Sequence, residues 1–198
     1  MTLIFFIKSS TVNLENYYIK DIQGTSGRLD VISRCVLSAL TNDNKLEKNI
    51  QIWAFLDKYG TFVFDSNTFN NDTFPKNEIL LTDYFVDYIK KSTDKKYTVN
   101  PLDSIKRSNL DIFEAIKKFI KKKYQIFVLN ESGVGFSKIF MDMSPKRNLL
   151  FLVGDQSGEL INSKELKELK LTNLSLGNRS YLASSTIRLI KLNLSLLI

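Results

Sequence analysis

The chain has 198 residues, 43% of them hydrophobic, which suits one domain with a real core and excludes a disordered composition. Its 28 Lys and Arg against 21 Asp and Glu leave a net charge of +7, a surplus that fits either a polyanionic partner, nucleic acid before membrane, or simple solubility. A single cysteine, Cys35, excludes an internal disulfide framework and fits a reducing cytoplasm, and the lack of histidine removes Ser-His-Asp and Cys-His catalysis together with the usual zinc sites.

In chain order, residues 3–7 (LIFFI) read as a buried first strand. The segment lacks a basic flank and is too short for a signal peptide, and no run reaches the roughly 18 apolar residues of a membrane span. Neither a membrane partner nor a metal is therefore expected. Residues 8–18 read as a polar loop, and Gln23-Gly24-Thr25-Ser26-Gly27 as a flexible turn. A helix follows, with Leu29, Ile32, Val36, Ala39 and Leu40 on one face. Arg28 and Asp30 stand at its mouth, where Asp30 also favours a helix N-terminus on simple electrostatic grounds.

Residues 41–48 form a polar connection. Residues 49–56 give a strand with Ile50, Ile52 and Ala54 on one face and Trp53 and Phe55 on the other. A turn at Asp57-Lys58-Tyr59-Gly60 leads to residues 61–64, so the two strands form a hairpin. A long Asn-rich loop covers 65–76. A helix over 78–91 carries Ile79, Leu80, Tyr84, Val86 and Ile89 as its apolar set, and residues 92–101 are a second polar loop.

Residues 110–123 have the clearest amphipathic pattern, with a stripe of Ile112, Ile116, Phe119 and Ile120. Lys106, Arg107, Lys117, Lys118, Lys121, Lys122 and Lys123 make this the most basic zone of the chain. It is either a solvated helix face or an RNA-backbone contact to which Lys106, Arg107, Lys117, Lys121 and Lys122 contribute. Residues 125–130 are a strand. The Gly133-Val134-Gly135 beyond it lacks the full dinucleotide fingerprint and carries no weight as one.

The last third organises the rest. A strand over 149–153 ends at Gly154-Asp155, a helix spans 163–169, and a strand over 171–174 ends in Ser175-Leu176-Gly177-Asn178 before a final helix over 180–192. Asn162 and Glu165 have capping-box spacing. Two such strand ends side by side make a crevice at the carboxyl edge of a sheet, where α/β proteins hold small polar ligands, although any α/β chain has strand-ending turns. The closing LNLSLLI reads as the end of a buried helix or as interface material. Alternation of strand and helix in this half implies a mainly parallel sheet.

Three segments together resemble one family. DIQGTSGRLDVISRCVLSAL (residues 21–40) resembles the glycine–GRLD–helix block of the TrmY tRNA pseudouridine N1-methyltransferases, residues 127–130 their middle strand, and residues 151–187 their cofactor end. The resemblance runs nearly end to end and is weakest over 57–109. It implies a single SPOUT-class domain over residues 1–198, an α/β fold with a C-terminal trefoil knot, and a cytoplasmic homodimer. It also implies S-adenosyl-L-methionine as cofactor and tRNA as partner, with methylation of N1 of a T-loop pseudouridine. Residue by residue, Leu129, Gly154, Leu174, Ser175, Leu176, Gly177, Asn178 and Arg179 match cofactor-binding positions, and Thr186 falls where the family usually has a cysteine. The Arg28-x-Asp30 pattern also resembles a sister SPOUT family acting on an rRNA pseudouridine.

Arg28 and Asp30 are the catalytic candidates. Asp30 would accept or orient the N1 proton while Arg28 holds a phosphate or base edge; in the alternative reading the two pair and fix the turn. Three functions compete: the tRNA enzyme, an rRNA-directed SPOUT enzyme, and a basic RNA-binding relative without catalysis, to which the missing histidines and cysteine lend weight.

Overall fold

Strand β1 (Leu3–Ser9) lies inside the sheet because it is buried on both sides, with Leu3, Phe5 and Ile7 in one core and Ile4 and Phe6 in the other. The computed structural model describes residues 1–90, 99–140, 147–154, 159–177 and 179–196. Most of the loop expected at 92–101, Asp155 and Asn178 therefore lie outside the described residues. After β1 come α1 (Ile22–Thr25), α2 (Leu29–Leu40), the small hairpin β2 (Thr41–Asn42) and β3 (Lys45–Leu46), then β4 (Ile50–Leu56) and β5 (Gly60–Asp65). Next are α3 (Glu78–Ile89), β6 (Lys106–Ser108) and α4 (Ile112–Lys121). The last part holds β7 (Gln125–Gly135), α5 (Phe136–Phe140), β8 (Leu149–Leu152), α6 (Glu159–Asn162), α7 (Lys164–Glu168), β9 (Thr172–Ser175) and α8 (Ala183–Ser195).

Among the described residues, seven strands form one sheet in the order β6-β5-β4-β1-β8-β7-β9. The stretch from β4 to β9 is parallel throughout, and β5 and β6 extend it antiparallel at one edge. The mainly parallel sheet and the β4–β5 hairpin are as the sequence predicts. Alternation then builds two cores. Phe5, Phe62, Phe127 and Phe151 pack with residues of α2, α3 and α8, whereas Phe6, Trp53 and Leu150 pack with Ile112, Ile116 and Phe119 of α4. Phe6 meets Phe55 and Phe119 edge-on, with ring centroids 5.0 and 5.7 Å apart.

Several local expectations change. The buried side of α3 is Leu81, Phe85, Val86 and Tyr88, while Ile79 and Leu80 face solvent. Apolar residues surround this helix, so periodicity alone does not single out a face. Ile120 is likewise exposed, and Ala115 takes its place in the stripe of α4. A capping box does start α4, where Asp111 accepts from Glu114 N and Glu114 accepts from Asp111 N. At α7 the cap is Ser163, which accepts from Leu166 N, because Asn162 still belongs to α6. The last helix begins at Ala183, three residues later than expected, and runs to Ser195.

Strand β7 continues to Gly135 instead of ending at Asn130. After an irregularity between Leu129 and Val134 it rejoins β9 through the pairs Val134–Leu174 and Gly135–Ser175. A Cβ on Gly133 would lie 2.7 Å from the backbone of Asn173 and Leu174, so the glycine serves strand packing.

Helix α8 is tied back to α2. Lys191 Nζ donates to the carbonyls of Ser38, Ala39 and Thr41 at 3.0, 3.0 and 2.9 Å, and it pairs with Glu47. A cation thus meets the negative end of the α2 dipole and satisfies carbonyls left over at its C-terminus. Burial lowers the Lys191 pKa, with Glu47 opposing that shift. Lys191→Met is expected to destabilise the fold by about 2 kcal/mol in urea unfolding, the worth of charge-assisted hydrogen bonds lost from a largely buried site. Lys164→Met, at an exposed position, should stay within about 0.5 kcal/mol of wild type.

Candidate functional site

The carboxyl ends of the parallel strands lie along one edge of the sheet, and the polar turns gather there. Register makes the alignment concrete, since Phe6 pairs with Leu152, Val128 with Leu152, and Leu129 with Leu174. The residues immediately beyond these pairs line two adjoining cavities.

The larger cavity is about 580 Å³ and is lined by Leu129 and Asn130 after β7, Val153 after β8, and Leu174, Leu176, Gly177 and Arg179 around the end of β9. Gly177 has φ +118°, a conformation that favours glycine. Ser175 stays beneath this surface, where its Oγ accepts from Gly177 N at 3.1 Å and lies 3.2 Å from Gly177 O, fixing the turn. Gly154 has φ +94°, and a Cβ there would sit 3.1 Å from Ile161 Cδ1. It lines the neighbouring cavity, of about 440 Å³, together with Lys8, Arg28 and Arg34. Val153, Ser180, Tyr181 and Thr186 belong to both walls, so the two spaces adjoin.

The mouth of α2 is built on strained backbone. Gly27 and Arg28 both have left-handed φ, +58° and +70°. A Cβ on Gly27 would lie 2.0 Å from the Thr11 carbonyl oxygen and 2.6 Å from Asn13 N, so only glycine fits. Ser26 Oγ accepts from Leu29 N at 3.1 Å and caps the helix start.

Asp30 is completely buried. Arg28 donates to it from Nε at 3.1 Å and from Nη2 at 3.2 Å, and Arg34 Nη2 donates at 2.9 Å. Both carboxylate oxygens are therefore engaged, as a buried charge requires. The Arg28 pKa is raised, first by its hydrogen bond to Asp30 and then by that residue's charge. Arg34 also meets Glu78, with Nε 3.3 Å from Oε2. Cys35 lines the same cavity, its thiol pushed up to about 12 by burial.

The structure thus brings Leu129, Leu174, Leu176, Gly177, Arg179 and Thr186 to one cavity and Arg28, Gly154 and Thr186 to its neighbour. It does not bring the basic zone there. Lys106 and Arg107 lie on the edge strand β6, three strands from β1, and Arg107 stacks over Phe62 and Tyr88 while donating to Ile89 O. Lys117 and Lys121 lie on α4 and Lys122 ends it, and that end leads into the amino end of β7. The cavity lies at the other end of the parallel register, about 13 Å along the strand. Sequence reading misses Asn130, Glu131, Ile161, Asn162 and Tyr181 as cavity residues. The signal for Tyr181 is an aromatic placed just before the last helix.

Residues 1–196 match the family model described as SAM-dependent RNA methyltransferase. The tRNA (pseudouridine(54)-N(1))-methyltransferase of Pyrococcus abyssi is 27% identical, and the alignment covers 96% of each chain. The Methanococcus aeolicus protein of the same name is 27% identical over 79% of each. Archaeoglobus fulgidus Nep1, solved with S-adenosylhomocysteine bound, superposes with a TM-score of 0.58 at 13% identity, covering 100% of this chain and 99% of its own. That likeness establishes a shared SPOUT-type α/β fold.

Gly27→Ala is expected to destabilise the protein by about 2 kcal/mol or more, read from the urea midpoint, because the added methyl must displace the Thr11 carbonyl and the left-handed backbone is lost.

Proposed function

Because the chain belongs to the SAM-dependent RNA methyltransferase family, we propose that it methylates N1 of a tRNA pseudouridine at position 54, the position in the names of its relatives, which the resemblance places in the T-loop. The observation that carries this reading is the pair of adjoining cavities, one suited to a cofactor and one cationic, with Thr186 and Tyr181 in their common wall.

The larger cavity fits S-adenosylmethionine by the chemistry of its donor set. Leu129, Leu174 and Leu176 offer apolar walls, Asn130 and Arg179 polar ones, and the positive-φ turn at Gly177 leaves backbone open to a ligand. When bound, the cofactor supplies a methyl group on an electrophilic sulfonium. The protein then chiefly positions and stabilises charge. Arg28 holds the target nucleotide by a base edge or phosphate, and its exposed side chain is anchored from behind by Asp30. Full burial and engagement of both oxygens favour Asp30 as the residue that fixes Arg28 and Arg34 over Asp30 as proton acceptor. Thr186 keeps its backbone and hydroxyl at the junction, without the thiol usual in the resembled family.

The strand order β1-β8-β7-β9, with α8 returning from the β9 edge to α2, supports the expected trefoil knot. Exposed Leu182, Leu192 and Leu196 on and beside α8 support a homodimer through this helix. Among the described residues no helix is long and apolar enough to cross a membrane; the proposed site of action on tRNA is the cytoplasm. Lys117, Lys121 and Lys122 serve as a remote phosphate contact for the body of the tRNA, joined along the sheet edge by Lys106 and, within the limits of its stacking, Arg107.

Labelled S-adenosylmethionine with tRNA transcripts carrying pseudouridine or uridine at position 54 tests the reaction; label in the pseudouridine transcript alone is expected. Label in neither, with no binding of S-adenosylhomocysteine, would leave an RNA-binding protein without catalysis, and label only in rRNA would move the target. Asp30→Asn should lower turnover by about tenfold or more with cofactor affinity retained; an unchanged rate would remove this cluster from the site. Changing Lys117, Lys121 and Lys122 together to Glu should weaken tRNA binding and flatten its salt dependence, leaving S-adenosylhomocysteine affinity as in wild type.

A further inference from the structure

Lys8 stands at the carboxyl end of β1 and lines the 440 Å³ cavity beside Arg28 and Arg34. Its Nζ donates to Asp57 Oδ2 at 2.8 Å, which leaves the ammonium further N–H donors for a ligand. Among the described residues, no aspartate, glutamate or histidine lines this cavity. The carboxylates nearby are committed elsewhere. Asp30 is held by Arg28 and Arg34, Glu78 by Arg34, and Glu131 lines the larger cavity. The other titratable groups in the wall are the buried Cys35 thiol and the Tyr181 phenol.

A wall that, among the described residues, presents three cations while the carboxylates Asp57, Asp30 and Glu78 are engaged as their partners is poorly equipped to remove a proton from a neutral ring nitrogen. It is well equipped to hold that ring once the proton has gone. We propose that Lys8, together with Arg28, binds the N1-deprotonated ring of the target base and lowers the pH at which that base ionises. This rests on the reading of a pseudouridine N1 as methyl acceptor. In the step concerned the N1–H bond breaks, the proton passes to water, and N1 keeps the electron pair. The negative charge spreads onto the ring carbonyl oxygens, where a nearby ammonium lowers its energy. The pair on N1 then forms the new bond to the methyl carbon, and the pair of the broken carbon–sulfur bond remains on sulfur.

The sign of each charge change follows. A cation favours the anion, so losing Lys8 raises the pKa of the bound ring N–H. Losing the negative charge of Asp57, which partly offsets Lys8, lowers it. Arginine at position 8 keeps the charge and should keep the effect.

The probe is 5-nitrouracil, an acidic uracil whose absorbance reports its ionisation, titrated against the protein saturated with S-adenosylhomocysteine. In wild type its pKa should fall below the free value. Lys8→Met should raise the bound pKa by about one unit, a tenfold weaker preference for the anion at fixed pH. Lys8→Arg should restore it and Asp57→Asn should lower it further. S-adenosylhomocysteine binding by each variant confirms that the fold is intact. Failure of wild type to bind the probe, a bound pKa equal to the free one, or a Lys8→Met value unchanged from wild type would overturn the proposal. This readout needs no methyl transfer, so a lack of label in tRNA would count against the pseudouridine reading separately from the anion preference.

Discussion

The double-sided burial of β1 is the constraint from which the rest follows. Leu3 to Ile7 offer no polar side chain to either face, so the strand is satisfied only between two layers of helices and two neighbouring strands. Parallel pairing with β4 and β8 meets that need and makes the sheet's strands end together. The apolar run stops at Lys8, where the protein stops being core. Backbone groups of the turns beyond each strand find partners in side chains, as Ser175 does for Gly177, or remain open at the cavity. The site is thus a consequence of a sheet that has nowhere else to place its polar ends.

Against that apolar frame, the burial of Asp30 is the most demanding electrostatic feature. A carboxylate withdrawn from water persists only with partners, and here it has two guanidinium groups. Arg28 reaches it from a left-handed backbone conformation that disfavours ordinary residues by roughly 1–2 kcal/mol. Gly27 makes the approach possible by lacking a Cβ, and Ser26 caps the helix that carries Asp30. Strain, a buried charge and the cationic cavity coincide in four consecutive residues and one more turn of helix. Their joint effect is to fix Arg28 and Arg34 as rigid donors at the cavity wall, which flexible surface arginines would not be.

Much of this was legible in the sequence, for identifiable reasons. Period-two patterning in β4 gave both its faces correctly, the unbroken apolar run gave β1 as a buried strand, and the stripe Leu29, Ile32, Val36, Ala39, Leu40 gave the buried side of α2. Those elements are patterned because each touches a core on a defined side. α3 is not patterned so, and its buried side depends on where α2 and β5 lie. The sequence reading ends the strand at Asn130 and leaves ESGVG outside it, because the pairing of that stretch with β9 is long-range and irregular. At the site, glycine-bearing turns marked the strand ends and placed Leu174, Leu176 and Gly177 at the cavity. Tyr181 and Glu131 escaped because their role depends on which strands become neighbours. Arg28 and Asp30 were visible as a pair, but whether a carboxylate is a proton acceptor or an anchor depends on burial, which spacing along a chain does not encode.

The distribution of positive charge completes the picture. Two populations of cations are separated by the length of the sheet. Lys8, Arg28 and Arg34 are held by Asp57, Asp30 and Glu78 and project into a confined space. The lysines of α4 lie on an open helix face near the opposite end of β7, with Lys118 over Trp53 and Lys122 near Phe119. Exposed charges of the second kind are screened by salt beyond roughly 8–10 Å and act mainly on encounter. Cations of the first kind share the wall of one cavity of about 440 Å³, where their charges act on the same bound group at short range. In the proposed function a long polyanion meets both at once, with its backbone drawn to the open lysines and a single base presented to the cavity. On that proposal, the separation of the basic zone from the cavity matches a large RNA substrate with one reacting nucleotide.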